Sequence, residues 1–237
     1  MLFSAHVANT SVLSALRRKT PQPADVQGLR SARTAVCAPF SPGLLPRPQP
    51  GREGMVAAWE DDASLDRFLT DHPSGRAFAE GWHVRMELVR AAGIWPGIDD
   101  NMVELAGNKA KGMTGPSIAI TIGTAYLRSI GSLVRVNSGL EDQFLETSAG
   151  LWGTQLTNLP QRLVATLTIW ESADSAIDYI GSGAHGAAVA AHYDPVKDPT
   201  GHTFVTGGGF FGFRPLASFG SVDGKNPLSA DLLTSRL

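Results

Sequence analysis

The stretches VAAWEDDASLDRFL (residues 56–69) and LTIWESADSAIDYI (residues 167–180) align without a gap at an offset of 111 residues. Trp59 meets Trp170, Glu60 meets Glu171 and Ser64 meets Ser175. The offset continues beyond them, pairing Gly75 with Gly186, Ala77 with Ala188 and Ala79 with Ala190. In each copy an apolar strand runs into Trp-Glu. A helix start follows, with Asp61 and Asp62 in one copy and Ser172 in the other, residue types that cap helices and suit the positive end of the helix dipole. Then come an amphipathic helix, a break (His72–Gly75, or Gly181–Gly183), a second helical piece and a closing strand.

The flanking sequence repeats the same plan. SIAITIG (117–123) alternates strictly, with Ile118, Ile120 and Ile122 on one side and Ser117, Ala119 and Thr121 on the other, the period of a half-buried strand. Leu2–Ala8 is its counterpart. Helical segments follow, Val12–Lys19 in the first half and Ala125–Val136 with Leu140–Thr147 in the second. Strands opened by Gly-Leu come next, at Gly28-Leu29 and Gly150-Leu151. Each half therefore reads β-α-β-β-α-β, the ferredoxin-like unit. The predicted fold is α+β: two tandem ferredoxin-like repeats packed sheet to sheet as a dimeric α/β-barrel-like pseudo-dimer. The boundaries expected are 1–97 for the first repeat, 98–115 for a polar linker, 116–215 for the second repeat and 216–237 for a tail. MLFSAHVANTSVLSALRRKT (1–20) also has the Ser-rich, Arg-containing composition of a transit peptide. The repeat favours the structural reading, since the first copy needs its first strand. The Pro-rich APFSPGLLPRPQPGREG (38–54) is expected to join the second and third strands as a long loop.

In the strand Leu163–Trp170 one side carries Leu163, Ala165, Leu167 and Ile169. The other mixes Val164, Thr166, Thr168 and Trp170, a set better suited to a cavity wall than to a dry core.

Totals narrow the function classes. The 237 residues carry a net charge of −2, and no basic stripe interleaved with aromatics offers a nucleic-acid surface. No run of about 18 apolar residues is present to span a membrane, and a cytoplasmic location is expected. The single cysteine, Cys37, permits no intramolecular disulfide and no cysteine-cluster metal site.

YIGSGAHGAAV (179–189) spells G-x-G-x-x-G through Gly181, Gly183 and Gly186. A dinucleotide turn needs a strand before that motif. Here a helical pattern precedes it, so the glycines break a helix instead. His185 and His192 lie seven residues apart, about 10 Å along a helix, too far to share one zinc at about 2.1 Å from each. His202 and Asp194 offer only a weak alternative through the loop DPVKDPTGH. A lone histidine suffices for haem, whose other four ligands are its own nitrogens. Residue chemistry leaves His185 two roles, a capping or solvated histidine or a haem ligand. Its counterpart in the first copy is Ser74.

The second half resembles the spheroidene monooxygenase family of haem-containing carotenoid oxygenases. The resemblance runs through GLWGTQLTNLPQRLVATLTIWESADSAIDYIGSGAHGAAV (150–189) and FFGFRPLASFGSVDGKNPL (210–228), with Pro160, Arg162, Thr166–Trp170, Ser172, Tyr179, His185 and the closing Phe210–Pro215 strand carrying it. Arg162 follows Pro160 one residue sooner than the family pattern, and the closing strand carries the insertion DPVKDPTGH and the run Gly207–Gly209. The resemblance implies a monooxygenase with haem iron on His185, taking electrons from a separate reductase or ferredoxin and acting on an apolar substrate, a carotenoid in that family. It implies Trp170, Phe211 and Phe213 as apolar walls and Arg162 and Arg214 as partners of the haem propionates. A cofactor-free oxygenase or a non-catalytic small-molecule-binding protein of the same barrel class is the alternative. The oligomeric state stays open.

Overall fold

The computed structural model describes residues 1–12, 19–42, 47–192 and 204–229. The helix expected over Val12–Lys19, the loop DPVKDPTGH and the chain end fall wholly or largely outside them.

Eight antiparallel strands close into a barrel: β1 (Leu2–Asn9), β2 (Leu29–Pro39), β3 (Gln49–Trp59), β4 (Trp82–Gly93), β5 (Ser117–Ala125), β6 (Gly150–Asn158), β7 (Leu163–Trp170) and β8 (Val205–Phe219). Around the barrel the order is β1-β3-β2-β6-β7-β5-β8-β4. The two sets of four strands meet at β2–β6, where Val36 faces Thr157, and at β4–β8, where Leu88 faces Phe213. The chain is thus α+β, with helices outside a closed antiparallel barrel. Closure leaves no free sheet edge. The loop between β2 and β3 is shorter than expected, because both strands extend into the proline-rich stretch.

Side-chain alternation fixes the two faces. Ile118, Ile120 and Ile122 of β5 point inward and are buried, as their period predicts. They meet Phe3, Leu167, Ile169, Phe211 and Phe213 in one apolar core, which fills a barrel of this strand number with side chains. Trp95, just past β4, enters that core and packs edge-on against Phe3 and Phe211, with ring centroids 5.1 Å apart in each case. The polar segment 98–115 carries helix α3 (Met102–Ala106), whose Met102 and Ala106 join the same core with Ile98. In the C-terminal stretch, Val222 and Leu228 do likewise.

The other helices cover the outer faces. Helices α1 (Asp62–Asp71) and α2 (Pro73–Ala79) lie over the first strands; α4 (Ile130–Glu146), α5 (Ala173–Gly181) and α6 (Gly183–His192) lie over the second set. The two helical segments expected between Ala125 and Thr147 merge into the single helix α4, after a short 3-10 turn at Leu127–Ser129. Asp61 and Ser172 both act as N-caps, accepting from the amides of Ser64 and Ser175. These positions are aligned by the 111-residue offset.

Over β1, β3 and β4 the space under the helices is solid. Leu29, Met55, Trp59, Leu65, Phe68 and Phe78 fill it. Two histidines are buried beside this cluster. His6 and His83 are cross-strand partners, their rings 5.6 Å apart and nearly parallel at 17°. Trp59 Nε1–H donates to Ser4 Oγ at 2.8 Å, and Ser4 Oγ lies 2.8 Å from His6 Nε2. The Nδ1 atoms of both histidines are buried without a hydrogen-bond partner among the described residues.

Burial pushes His6 well below the ordinary histidine value, and the nearby His83 and Arg85 push the same way. Burial lowers His83 to about 4; Arg85 adds to this and Asp66 opposes it. Both rings are therefore neutral in the folded chain at neutral pH, whereas in the unfolded chain they protonate near about 6.5. Between those values the unfolded state binds more protons. The resulting stability is fully present above about pH 6.5 and is lost as pH falls toward 4. The urea midpoint is expected to drop between pH 7 and 4.5. His83→Phe, which keeps the 5.0 Å stack on Phe219, is expected to flatten that slope. A wild-type midpoint independent of pH would contradict this.

Candidate functional site

Over β5, β6 and β7 the corresponding space is partly hollow. The offset of 111 shows why. Met55 and Phe78 correspond to Thr166 and Val189, so smaller side chains stand where bulkier apolar ones fill the first set, and Ala57 corresponds to the more polar Thr168. The result is a cleft between the outer face of the sheet and helices α4 and α6. It measures about 700 Å³ counting its open mouth, with about 110 Å³ open to the centre of a water molecule. Leu133, Val136, Val164, Ala188, Val189 and Phe210 are among its apolar walls. A smaller, more polar recess of about 30 Å³ adjoins it, lined by Thr168, Trp170, Tyr179 and Glu141. Thr121, Asn137, Leu140, Gln155, Thr166 and His185 line both.

His185 sits at this junction, the one buried residue of α6. Its Nδ1 lies 3.1 Å from the carbonyl oxygen of Ile180. A carbonyl can only accept, so Nδ1 carries the proton and donates. That leaves Nε2 with the lone pair, and no described residue hydrogen-bonds to it. Burial lowers the pKa of His185, partly opposed by the bond to Ile180, which keeps the imidazole neutral. Tyr179 packs against the ring at 5.0 Å and Phe210 at 5.8 Å. Tyr179 is itself fixed, its hydroxyl donating to Leu140 O at 2.7 Å. A buried, neutral imidazole whose second nitrogen is held by a carbonyl is the usual state of a histidine that ligates a metal.

Trp170 reaches the same place. It is buried on the outer face, its indole N–H donating to Thr168 Oγ1 at 2.8 Å, with Tyr179 at 4.7 Å. The face Val164–Thr166–Thr168–Trp170 does line the hollow. That hollow lies outside the barrel, under the helices, while the barrel interior is filled.

The remaining expected site residues are not brought to His185. Phe211 and Phe213 point into the barrel core, packed on Trp95 and Phe3; Phe210 takes the place beside His185. Arg214 pairs with Glu87 at 3.3 Å and donates to Lys109 O at 2.9 Å. Arg162 is exposed in the β6–β7 turn, where its backbone adopts φ 53°. Its amide donates to Leu159 O and its carbonyl accepts from Ala125, so backbone bonds hold it in the left-handed region that glycine tolerates best. Arg162→Gly is expected to raise stability by up to about 1 kcal/mol, read as an upward shift of the urea midpoint; a downward shift would mean that the side chain contributes packing.

Glu141 was not anticipated. It is buried on α4, its carboxylate accepting from the Ser41 amide at 3.2 Å and from the Gln155 side chain. Burial raises its pKa, while those bonds oppose the shift. His192 also lines the cleft, its Nδ1 accepting from the Phe204 amide at 3.2 Å. Among the described residues no group of three or more His, Cys, Asp or Glu is placed to hold a metal ion. Cys37 is buried in the barrel core, its thiol pushed up to about 12 by burial, so it offers no thiolate near neutral pH. No helix is long and apolar enough to cross a membrane, among the described residues.

No family model matches the chain, and no curated protein matches it. Solved structures similar to it include a heme-degrading enzyme from Listeria monocytogenes. That protein is 7% identical over 90% of this chain and 99% of the other, at a TM-score of 0.35. A monooxygenase-like protein from Listeria innocua is 7% identical over 91% and 94%, at 0.34. An aldoxime dehydratase is 11% identical over 95% and 82%, at 0.44. At TM-scores of this size such likenesses assign neither an activity nor a ligand.

Proposed function

We propose that the chain is a haem-dependent monooxygenase-like protein built of two tandem ferredoxin-like repeats, with His185 as the axial ligand of the iron. The observation that carries this reading is the state of His185. It is buried and neutral, its Nδ1 proton is committed to Ile180 O, and its Nε2 is unpaired at the wall of an open cleft. Haem iron asks one histidine of the protein and finds its other ligands in the porphyrin, which suits a site with no second metal ligand among the described residues. The donor and the apolar lining fit the group. The enclosed space is smaller than the roughly 150 Å³ cavity that takes one benzene ring, so a macrocycle requires α6 to stand further from the sheet. That helix buries only His185, and a lightly packed element moves at low cost.

When bound, haem supplies oxygen activation with electrons from a separate reductase or ferredoxin. The residues of this chain do the rest. Trp170 and Tyr179 wall the imidazole and exclude water. Val164, Val136, Leu133 and Phe210 give the cleft an apolar surface for an apolar substrate, a carotenoid in the family that the sequence resembles. Glu141, whose pKa is raised by burial, can hold a proton on its carboxyl at the polar end. A cytoplasmic setting belongs to the same reading. Reconstitution of the purified chain with hemin is expected to give a Soret band at one equivalent; a spectrum equal to free hemin would overturn the proposal.

One observation favours a second reading. The enclosed room is close to the size of a single ring, and no Arg or Lys is among the described residues lining the cleft. A cofactor-free oxygenase or a non-catalytic small-molecule-binding protein would look like this. It predicts a colourless protein after hemin treatment and a change in tryptophan fluorescence with a one-ring aromatic probe such as phenol.

A further inference from the structure

The break between α5 and α6 is closed by a side chain from a third helix. Gln143 of α4 reaches across to it. Its Nε2 donates to Ser182 O at 3.2 Å, and its Oε1 accepts the backbone N–H of His185 at 3.0 Å. The other helix pair closes its break differently. There the corresponding amide, Ser74 N–H, is accepted at 3.2 Å by His72 Nδ1, two residues away. The position aligned with His72 is Gly183, which has no side chain to do this. Gly183 also stands at φ 54°, and a Cβ there would lie 2.8 Å from Gln143 Oε1. A local cap has been exchanged for a remote one, and the glycine makes room for it.

We propose that Gln143 is the positioning residue of His185. It seats the first turn of α6 on α4, and so keeps the imidazole in the orientation that places Nδ1 on Ile180 O and leaves Nε2 unpaired. An unsatisfied amide in a helix's first turn is normally capped by the chain just before it. Here the cap comes from α4, which lies beside α6 over the same sheet, and ties the start of α6 to it. The functional meaning rests on the proposed role of His185; the seat itself does not.

The test is ¹⁵N-histidine NMR of the full chain without haem. In the wild type, His185 is expected as a single tautomer protonated at Nδ1. In Gln143→Ala the ring gains water and mobility, so it is expected as a mixture of the two tautomers. Gln143→Glu keeps the acceptor for His185 N–H but loses the donor to Ser182 O, and is expected to restore the Nδ1 tautomer only in part. Gly183→Ala pushes the same seat apart from the α6 side and carries the test if Gln143→Ala fails to fold. The wild-type tautomer in Gln143→Ala, or in Gly183→Ala should it stand alone, overturns the proposal. A wild type with no Soret band but with these NMR shifts overturns the haem reading alone.

Discussion

Replacing His185 with alanine is expected to abolish the Soret band of the hemin-treated chain and to weaken hemin binding at least 100-fold, about 2.7 kcal/mol. The size of the effect follows from the absence of a substitute. Of the other described titratable residues that line the cleft, Tyr179 is committed to Leu140 O and Glu141 to Ser41 and Gln155. His192 lies near the far end of α6, stacked on Phe204 at 5.9 Å with Nδ1 taken by the Phe204 amide. It stands two helical turns from position 185, about 10 Å along the axis. His192→Ala is therefore the matched control and is expected to keep the band. Alanine at 185 also leaves a void of about imidazole size, so added imidazole is expected to restore a six-coordinate or five-coordinate histidine-type spectrum. An unchanged band in His185→Ala removes the residue from the site, whatever haem does elsewhere.

Gly208→Ala is expected to cost about 4 kcal/mol, the upper range for single substitutions. For a chain of this length that lowers Tm by about 8–16 °C. Two causes add. The residue stands at φ 77°, where an L side chain is strained by about 1–2 kcal/mol. A Cβ there would lie 1.8 Å from the carbonyl oxygen of Ile122 and 2.8 Å from Gly123 Cα, both backbone atoms of β5 that cannot swing aside. Gly93 and Gly209 meet the same constraint where β4 and β8 approach, with backbone oxygens 2.2 Å and 2.1 Å from their built Cβ atoms. The strand closes the barrel on both sides, pairing with β5 and β4, so its displacement opens the whole sheet. Gly115→Ala separates the two causes. It has φ 82° but nothing within 4 Å, and so is expected to show the backbone strain alone. Equal losses in the two variants would refute the close approach of β8 to β5.

The repeat of Trp-Glu and capping residue was enough to place strands β3 and β7, helices α1 and α5 and their N-caps, because these depend on neighbours a few residues away. Alternation likewise assigned the faces of β5 and β7. The same logic failed at β8. Phe210, Phe211 and Phe213 are all aromatic, and no polar phase marks the inward side. Pairing decides it, with Phe211 set opposite Ile120 and Phe210 opposite Thr121, which sends Phe210 to His185 and the other two into the core. Glu141 and Gln143 were passed over for a related reason. On α4 they read as ordinary polar positions beside Leu140 and Phe144, and only a neighbouring element gives them a partner. A carboxylate interrupting the apolar side of a helix was the one available signal.

By itself the sequence determined the α+β class, the order of the strands and the helix break that puts His185 near a helix start. Those properties arise from local backbone preference and side-chain period. Only the tertiary structure decided that the barrel interior is filled, that the hollow lies under the helices of the second set, and which polar atoms hold the histidine. A cavity is the difference between side-chain volumes contributed by segments far apart in the chain. Thr166 opens space only because Val189 of α6, rather than a larger residue, faces the cleft as well, and no reading of one segment contains that sum.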